Sequence, residues 1–248
     1  MPRLFVPIDI PLSAQLELDL PESVSRHVQV LRMQPGERVV LFDGRDGQWS
    51  AEILSMGRKV VRVGVRDHEA VSRELPRDVT LVVGMPANDR MDALVEKATE
   101  LGVAAVQPLM CERSVLRLDG ERAAKKVAHW QGVAIAAAEQ SGRTRVPLIH
   151  EVRPLTTWLK QDRPAGARCG VLSLREAKGI RAWAANVSAD DDRAPVYFLS
   201  GPEGGLAPQE EDAVLQSGWE AVSLGSRVLR ADTAPLMALG VMAAWWDA

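Results

Sequence analysis

The sequence predicts an α/β protein in two parts, a small N-terminal β-barrel followed by a larger domain on a mostly parallel sheet. Three observations carry this reading. Roughly the first seventy residues read as short β-rich runs separated by turn residues. After Asp78 the texture changes to strands alternating with helices, the pattern of crossover connections between parallel strands. A charged stretch over residues 66–78, closing on Pro76, separates the two textures. The expected domains are therefore 1–72 and 73–248.

In the first part, strands are expected at 3–6, 38–42, 49–54 and 59–65, with Gly36, Asp43-Gly44, Asp46-Gly47 and Gly57 at the turns. Val61, Val63 and Val65 alternate with Arg62, Gly64 and Arg66, the two-residue period of a half-buried strand. In the second part, residues 79–83 form a continuous apolar strand. Met91, Leu94, Val95, Ala98 and Leu101 then share one helical face, with Asn88 or Asp89 as N-cap and Gly102 as the stop. A strand over 103–110, interrupted by Pro108, precedes a long helix over 121–140 that Ser141-Gly142 ends. Buried strands follow at 168–174 and 196–200, and Pro208 opens a helix with Glu210 and Glu211 at its positive end. The last helix, 234–246, is apolar nearly all round, so it must be buried, and a subunit interface is a natural place for it.

Composition narrows the function classes. A hydrophobic fraction of 46% supplies a core, and a net charge of −3 rules out nucleic-acid binding by bulk charge, so any RNA site is a local patch. Residues 113–145 hold such a patch: Arg113, Arg117, Arg122, Lys125, Lys126, Arg143 and Arg145, opposed by Asp119, Glu121 and Glu139. Cys111 and Cys169 stand far apart and the histidines are single, so neither a disulfide framework nor a metal site is expected. The start shows no signal peptide and no apolar run is long enough to span a membrane, which leaves the cytoplasm as the expected location.

Two loops concentrate the chemistry. Ser200-Gly201-Pro202-Glu203-Gly204-Gly205 leaves an apolar strand and enters a helix, and its glycines let backbone groups approach a ligand at the carboxyl end of the strand. Neither a dinucleotide fingerprint nor a P-loop is present. The second loop, Ser223-Leu224-Gly225-Ser226-Arg227-Val228-Leu229-Arg230-Ala231-Asp232-Thr233-Ala234, joins a short strand to the terminal helix. Its apolar residues suit the faces of an adenine and Arg230 suits a phosphate or a base, while two surface arginines with a helix cap is the plainer alternative.

Together, Gly-Pro-Glu-Gly-Gly and, some twenty residues on, Leu-Gly-Ser-Arg-Val-Leu-Arg-Ala-Asp-Thr-Ala resemble the SPOUT methyltransferases. His27-Val28-Gln29-Val30-Leu31-Arg32-Met33, Lys97-Ala98-Thr99-Glu100-Leu101-Gly102-Val103, Glu112-Arg113 and Glu139-Gln140-Ser141-Gly142-Arg143 extend the likeness to the RsmE-like ribosomal RNA methyltransferases over nearly the whole chain. The chain departs from that family at Leu206, where Phe is common, at Asp232, where Glu is common, and at Ala87-Asn88, where a basic residue and a glycine are usual.

The resemblance implies a PUA-like N-terminal barrel, a C-terminal trefoil knot, S-adenosylmethionine as methyl donor, a homodimer, and uridine N3 of 16S ribosomal RNA, free or in the small subunit, as target. It places the cofactor on Leu172, Ser200, Gly201, Pro202, Glu203, Gly204, Gly205, Leu224, Gly225, Ser226, Val228, Leu229, Thr233 and Ala234. Arg230 is the expected catalytic group, with Glu203 and Asp232 behind it. Arg32, Arg90, Arg113, Arg143 and Arg145 are the expected RNA contacts. A SPOUT enzyme for another atom, such as a ribose 2′-oxygen, and a non-catalytic RNA-binding dimer are the rival readings.

Overall fold

A computed structural model describes residues 1–45, 47–187 and 193–246, so the expected turn residue Asp46 lies outside the described residues. The chain forms two compact units, Met1–Glu74 with Ile135–Val146, and Leu75–Ala134 with Pro147–Ala248.

The first unit contains β1 (Arg3–Phe5), β2 (Glu17–Asp19), α1 (Glu22–Val30), β3 (Arg38–Phe42), β4 (Gln48–Met56) and β5 (Val61–Glu69). The five strands hydrogen-bond in the order β1-β3-β4-β5-β2. Two register shifts in the β4–β5 ladder coil the sheet, as bulges do. The alternation in β5 holds: Val61, Val63 and Val65 are fully buried while Arg62 and Arg66 are exposed. The strand runs on to Glu69, into the stretch expected to be linker, because cross-strand pairing with β4 continues as far as Gln48 and Glu69. Two elements were not evident in the sequence. β2 is too short to show a period, and α1 lies partly inside the barrel motif, sending Val24 and Val28 into the core with Leu4, Leu41 and Ile53.

Residues 135–146, the end of the long helix and the loop after it, belong to this unit and settle the place of Arg143. The residue is 3% exposed, and its guanidinium is paired with the Glu74 carboxylate, Nε donating to Oε2 at 3.1 Å. Arg143 is therefore held in a structural ion pair, where the sequence led us to expect an exposed RNA contact: this guanidinium is sealed from solvent and committed to a carboxylate. The Arg145 amide donates to the other oxygen of Glu74 at 3.2 Å, leaving that side chain exposed. The carbonyls of Gly142 and Arg143 accept from Arg3 at 3.1 and 2.9 Å, and Glu139 accepts the Phe5 amide at 2.9 Å. Burial raises the Glu139 carboxyl above its ordinary pKa, with the Phe5 amide, His27 and Arg3 opposing.

The second unit runs β6 (Val79–Gly84), α2 (Asn88–Glu100), β7 (Ala105–Met110), α3 (Gly120–Ser141, its last turns counted with the first unit), β8 (Leu148–Ile149), β9 (Arg153–Pro154), α4 (Leu155–Trp158), β10 (Arg168–Leu172), β11 (Lys178–Gly179), α5 (Ile180–Ala184), β12 (Val196–Ser200), α6 (Pro208–Gln216), β13 (Glu220–Ser223) and α7 (Thr233–Trp246). The sheet is wholly parallel, in the order β11-β13-β10-β12-β6-β7-β8, with β9 also on β7. β12 thus inserts between β6 and β10, and the loops after β10, β12 and β13 emerge side by side at one edge.

Met91, Leu94, Val95 and Ala98 of α2 are fully buried, but Leu101 is 36% exposed: α2 ends one residue before it, so it leaves the helical stripe. The expected caps also change. The N-cap is Ala87, without a side-chain hydrogen bond of its own, and Glu203 accepts its amide at 2.8 Å from far along the chain. α7 buries Pro235, Ala238, Leu239 and Met242 within its own unit and leaves Trp245 44% exposed.

The Arg143–Glu74 pair yields a prediction. Arg143→Ala leaves the half-buried Glu74 carboxylate with only the Arg145 amide and is expected to cost up to about 3 kcal/mol, seen as a clear fall in Tm by calorimetry. Arg145→Ala should leave Tm unchanged. Equal effects of the two substitutions would contradict the assignment.

Candidate functional site

The loops after β10, β12 and β13 enclose a cavity of about 550 Å³, within the range of cofactor and ligand sites. Leu172, Ser200, Gly201, Pro202, Glu203, Gly204, Gly205, Leu224, Gly225, Val228, Leu229 and Ala234 line it, together with Arg230, Arg90 and Arg113. Ser226 and Thr233 do not. Ser226 is exposed in its loop, and Thr233 opens α7, its amide donating to the Arg230 carbonyl at 3.0 Å. Of the other expected residues, Arg32 is exposed on the first unit and Asp232 lies off the cavity with a buried, unpartnered Oδ1.

The shape of the first loop follows from backbone crowding. A β-carbon on Gly84, the last residue of β6, would stand 2.6 Å from the nitrogen and Cδ of Pro202, so glycine is required where the two backbones meet. Gly205 has φ +68, a left-handed conformation, and its amide donates to the Pro202 carbonyl at 2.8 Å, closing the turn. Gly204 needs no such φ; a β-carbon there would press on Cβ of Arg113 at 3.0 Å.

Most charged groups on the wall are already committed. Glu203 holds the Ala87 amide and stands 3.6 Å from Arg90, so it pins its loop to the start of α2 rather than capping the helix that follows it. Arg113 Nη1 donates to the Gly204 carbonyl at 3.0 Å. Glu210, buried, accepts the amides of Ala207 and Glu112 at 3.0 and 2.8 Å and so fixes the start of α6. Arg230 and Arg227 differ: both are exposed on the second loop, and neither side chain has a protein acceptor among the described residues.

The sequence reading missed the loop after β10. Ser173, Leu174 and Arg175 line the cavity, as do Glu211 and Val222. Ser173 donates to Glu211, and Arg175 Nε lies 3.0 Å from the same carboxylate while Nη1 reaches Asp212 at 2.5 Å. This cluster clamps the loop to α6. The serine-arginine pair ends an apolar strand as ordinary surface residues do, so only the fold reveals its partners.

Two features bear on what the cavity can hold. Ser200 Oγ is buried without a partner, a polar group waiting for a ligand atom. Leu174 and Val228, each 78% exposed, offer apolar surface beside the glycine loops, a combination that suits a flat ring with a polar tail. Cys111 is no nucleophile: burial, then the Glu210 charge, pushes its thiol up to about 12. Among the described residues no group of three His, Cys, Asp or Glu is placed to hold a metal, and no helix is long and apolar enough to cross a membrane.

Comparison with known proteins then gives consistent matches. A family model described as an RNA methyltransferase domain matches residues 73–243, and one described as an RNA methyltransferase PUA domain matches residues 20–65. The chain is 32% identical over 223 residues to the ribosomal RNA small subunit methyltransferase E of Bacillus subtilis, covering 89% of this chain and 87% of that one. The crystal structure of the Neisseria gonorrhoeae ribosomal RNA small subunit methyltransferase E bound to S-adenosyl methionine superposes with a TM-score of 0.88 at 36% identity, covering 99% of this chain and 98% of that one. A putative methyltransferase from Legionella pneumophila in complex with bound cofactor SAM gives 0.87 at 30% identity, covering 98% and 97%.

The clamp on the loop after β10 is testable without any ligand. The Arg175 amide donates to Ser173 Oγ at 3.0 Å, and the Arg175 side chain ties the segment to α6. Arg175→Ala is expected to speed hydrogen exchange across residues 173–176 while leaving the rest of the unit protected. Unchanged exchange there, measured by mass spectrometry, would mean the clamp is not what orders the loop.

Proposed function

Because the chain belongs to the ribosomal RNA small subunit methyltransferase E family, we propose that it uses S-adenosylmethionine to methylate N3 of a uridine in 16S RNA of the small ribosomal subunit. A PUA-like domain before an RNA methyltransferase domain built on a parallel sheet is the fold described above, and the trefoil knot of the SPOUT enzymes belongs to this proposal. One observation carries the functional reading: both glycine loops meet around a single cavity in which Arg230 is a cation without a protein partner.

The residues present fit the cofactor. The buried Ser200 Oγ, the backbone of residues 201–205 and the apolar side chains of Leu172, Leu224, Val228 and Leu229 would hold it, and Ala234 closes the wall. When bound, it supplies an electrophilic methyl group, so no activation of the donor is asked of the protein. The chain must instead orient the uracil and manage the N3 proton, which is mostly in place at neutral pH. Arg230 is the assigned catalytic residue: its guanidinium would stabilise the negative charge that spreads over the uracil carbonyl oxygens as N3 gives its proton to solvent water. The N3 lone pair then takes the methyl group, and the electrons of the broken bond stay on the cofactor's sulfur. Glu203 is a positioning residue, because both its neighbours, the Ala87 amide and Arg90, hold it to the scaffold. Arg32, Arg90, Arg113 and Arg145 remain the assigned RNA contacts, Arg113 as a cation that also braces Gly204. The site of action is the cytoplasm, on ribosomal RNA alone or in the assembled subunit.

Calorimetry should show S-adenosylmethionine binding to the wild type and at least a tenfold loss for Gly205→Val, whose φ a β-branched residue resists. Ribosomal RNA from a deletion strain, treated with the protein and the cofactor, should gain 3-methyluridine by mass spectrometry of its nucleosides, and Arg230→Ala should abolish the gain. A 2′-O-methylated nucleoside in its place would transfer the reading to the rival SPOUT chemistry.

We also assign the uncovered side of α7 to a second copy of the chain. Leu236 and Val241 are only half-buried, Trp245 is exposed, and a β-carbon on Gly240 would meet nothing, so a close helix approach is open. Wild type should sediment as a dimer at micromolar concentration and Trp245→Glu as a monomer. A monomeric wild type would rule this out.

A further inference from the structure

A second cavity, of about 390 Å³, opens on one face of the parallel sheet and shares no lining residue with the first. Its floor is polar. Thr80 of β6 and Tyr197 of β12 are paired in register, so their side chains leave the same face, and Gln107 of β7, paired with Val82, leaves it too. Further along this face Val82, Leu109, Val171 and Leu199 pack into an apolar core with Leu155 of α4 and Val214 of α6. Strands of a covered parallel sheet are expected to be apolar throughout. A threonine 8% exposed and a glutamine 5% exposed therefore mark a break in the layer. The cavity occupies that break, bounded by Trp158 and residues 161–164.

The groups around it are set for a negative ligand. Arg163 is half-buried, its Nη2 donates to the Ser217 carbonyl at 2.8 Å, and its guanidinium lies 5.4 Å from the centre of the Trp219 ring. Its Nη1 is buried without a hydrogen-bond partner. No carboxylate among the described residues stands within ion-pair distance of it, in contrast to Arg143 with Glu74 and Arg175 with Glu211. Arg153 meets Glu151 only at 3.8 Å, and that carboxylate is 85% exposed, so water screens most of its charge. Asp162, the other acid at the rim, is also exposed. His150 adds no charge of its own. Burial, and then the Arg153 charge, hold its imidazole below the usual range, which leaves a neutral ring with one N–H to donate. Gln107 is locked in one orientation, because its Nε2 donates to the Pro108 and Glu151 carbonyls at 2.9 and 2.8 Å.

We propose that this cavity is a binding site for a small organic anion, its phosphate or carboxylate group on Arg163 and Arg153 and its body against Trp158 and Tyr197. The volume lies in the range of small-ligand sites and exceeds what a bare oxyanion fills, which leaves room for the body. A guanidinium fixed by a carbonyl and a ring face still needs acceptors for its remaining donors, and Thr80, His150 and Tyr197 bring further donors to the same space. The site performs no catalytic step and is independent of methyl transfer.

The test is calorimetry on the full-length protein, with S-adenosylmethionine present to fill the first cavity and with inorganic phosphate and malonate as separate probes. Saturable binding of at least one probe at millimolar concentration is expected. Phosphate alone would make the natural ligand a phosphate ester, malonate alone a carboxylate, and both an oxyanion of either kind; each result supports the site. Tyr197→Phe keeps the ring and removes the hydroxyl, so Tm should hold while binding weakens several-fold. Arg163→Ala should abolish binding. No saturable heat with either probe, or affinities within twofold of wild type in the folded variants, would overturn the proposal. Displacement of the bound probe by a small-subunit ribosomal RNA transcript would give the site to a polynucleotide and sink it as well. A wild type that binds a probe but not S-adenosylmethionine leaves this site standing and removes the cofactor reading alone.

Discussion

The carboxyl edge of the sheet depends on one close approach, the backbone of Gly84 against Pro202. β12 runs parallel to β6 through five paired residues, so both strands reach that edge together and their exits compete for the same space. With any side chain on Gly84 the Pro202 loop would have to stand off. As it is, the loop turns sharply through Gly205, Glu203 reaches the start of α2, and Gly204 packs on Arg113. Each of these contacts fixes one wall of the cavity. Insertion of β12 between β6 and β10 then sets the exits of β10 and β13 beside it, which is why residues 172–175 and 224–230 complete the same enclosure.

The cavity sorts arginines by whether the protein already occupies them. Arg90, Arg113 and Arg175 are committed to Glu203, to the Gly204 carbonyl, and to Glu211 with Asp212. Such groups shape the wall and hold their charge in place. Arg230 is also fixed, but through its backbone: its carbonyl accepts the Thr233 and Ala234 amides at the start of α7, which anchors the residue while leaving the guanidinium unpaired. With the main chain anchored, only the side-chain torsions remain to be ordered when the cationic head meets charge that develops nearby.

What the sequence made legible was local. The alternation of Val61, Val63 and Val65, the buried face of Met91, Leu94, Val95 and Ala98, and the glycine loops all depend on neighbours within a few residues. What it concealed was long-range. Asn88 or Asp89 are good cap residues, yet the amide before α2 is satisfied by Glu203, across a separation of 116 residues. Arg143 reads as one of several cations in a basic stretch, and only the return of residues 135–146 to the first unit sets it on Glu74, a separation of 69. The loop after β10 shows no pattern at all, because its order comes from α6. The terminal helix is intermediate: uniform apolarity demands burial, but does not say how much of it the chain itself provides.

A chain with a net charge of −3 that handles a polyanion has to spend its cations unevenly. Of the basic stretch expected to bind RNA, Arg143 is sealed in a buried pair and Lys125 stands 2.7 Å from Glu121, so counting positive residues along the sequence overstates the patch. Among the described residues, several cations that stay free lie where the backbone projects them, such as Arg230 and Arg227 on the loop before α7 and Arg32 at a helix end that glycine would occupy with less strain. Local field depends on these unpaired groups and not on the sum, because a paired arginine presents little net charge beyond a Debye length. Recognition by an acidic protein therefore rests on where fold geometry prevents carboxylates from reaching the arginines, and that geometry, rather than composition, is what the two units supply.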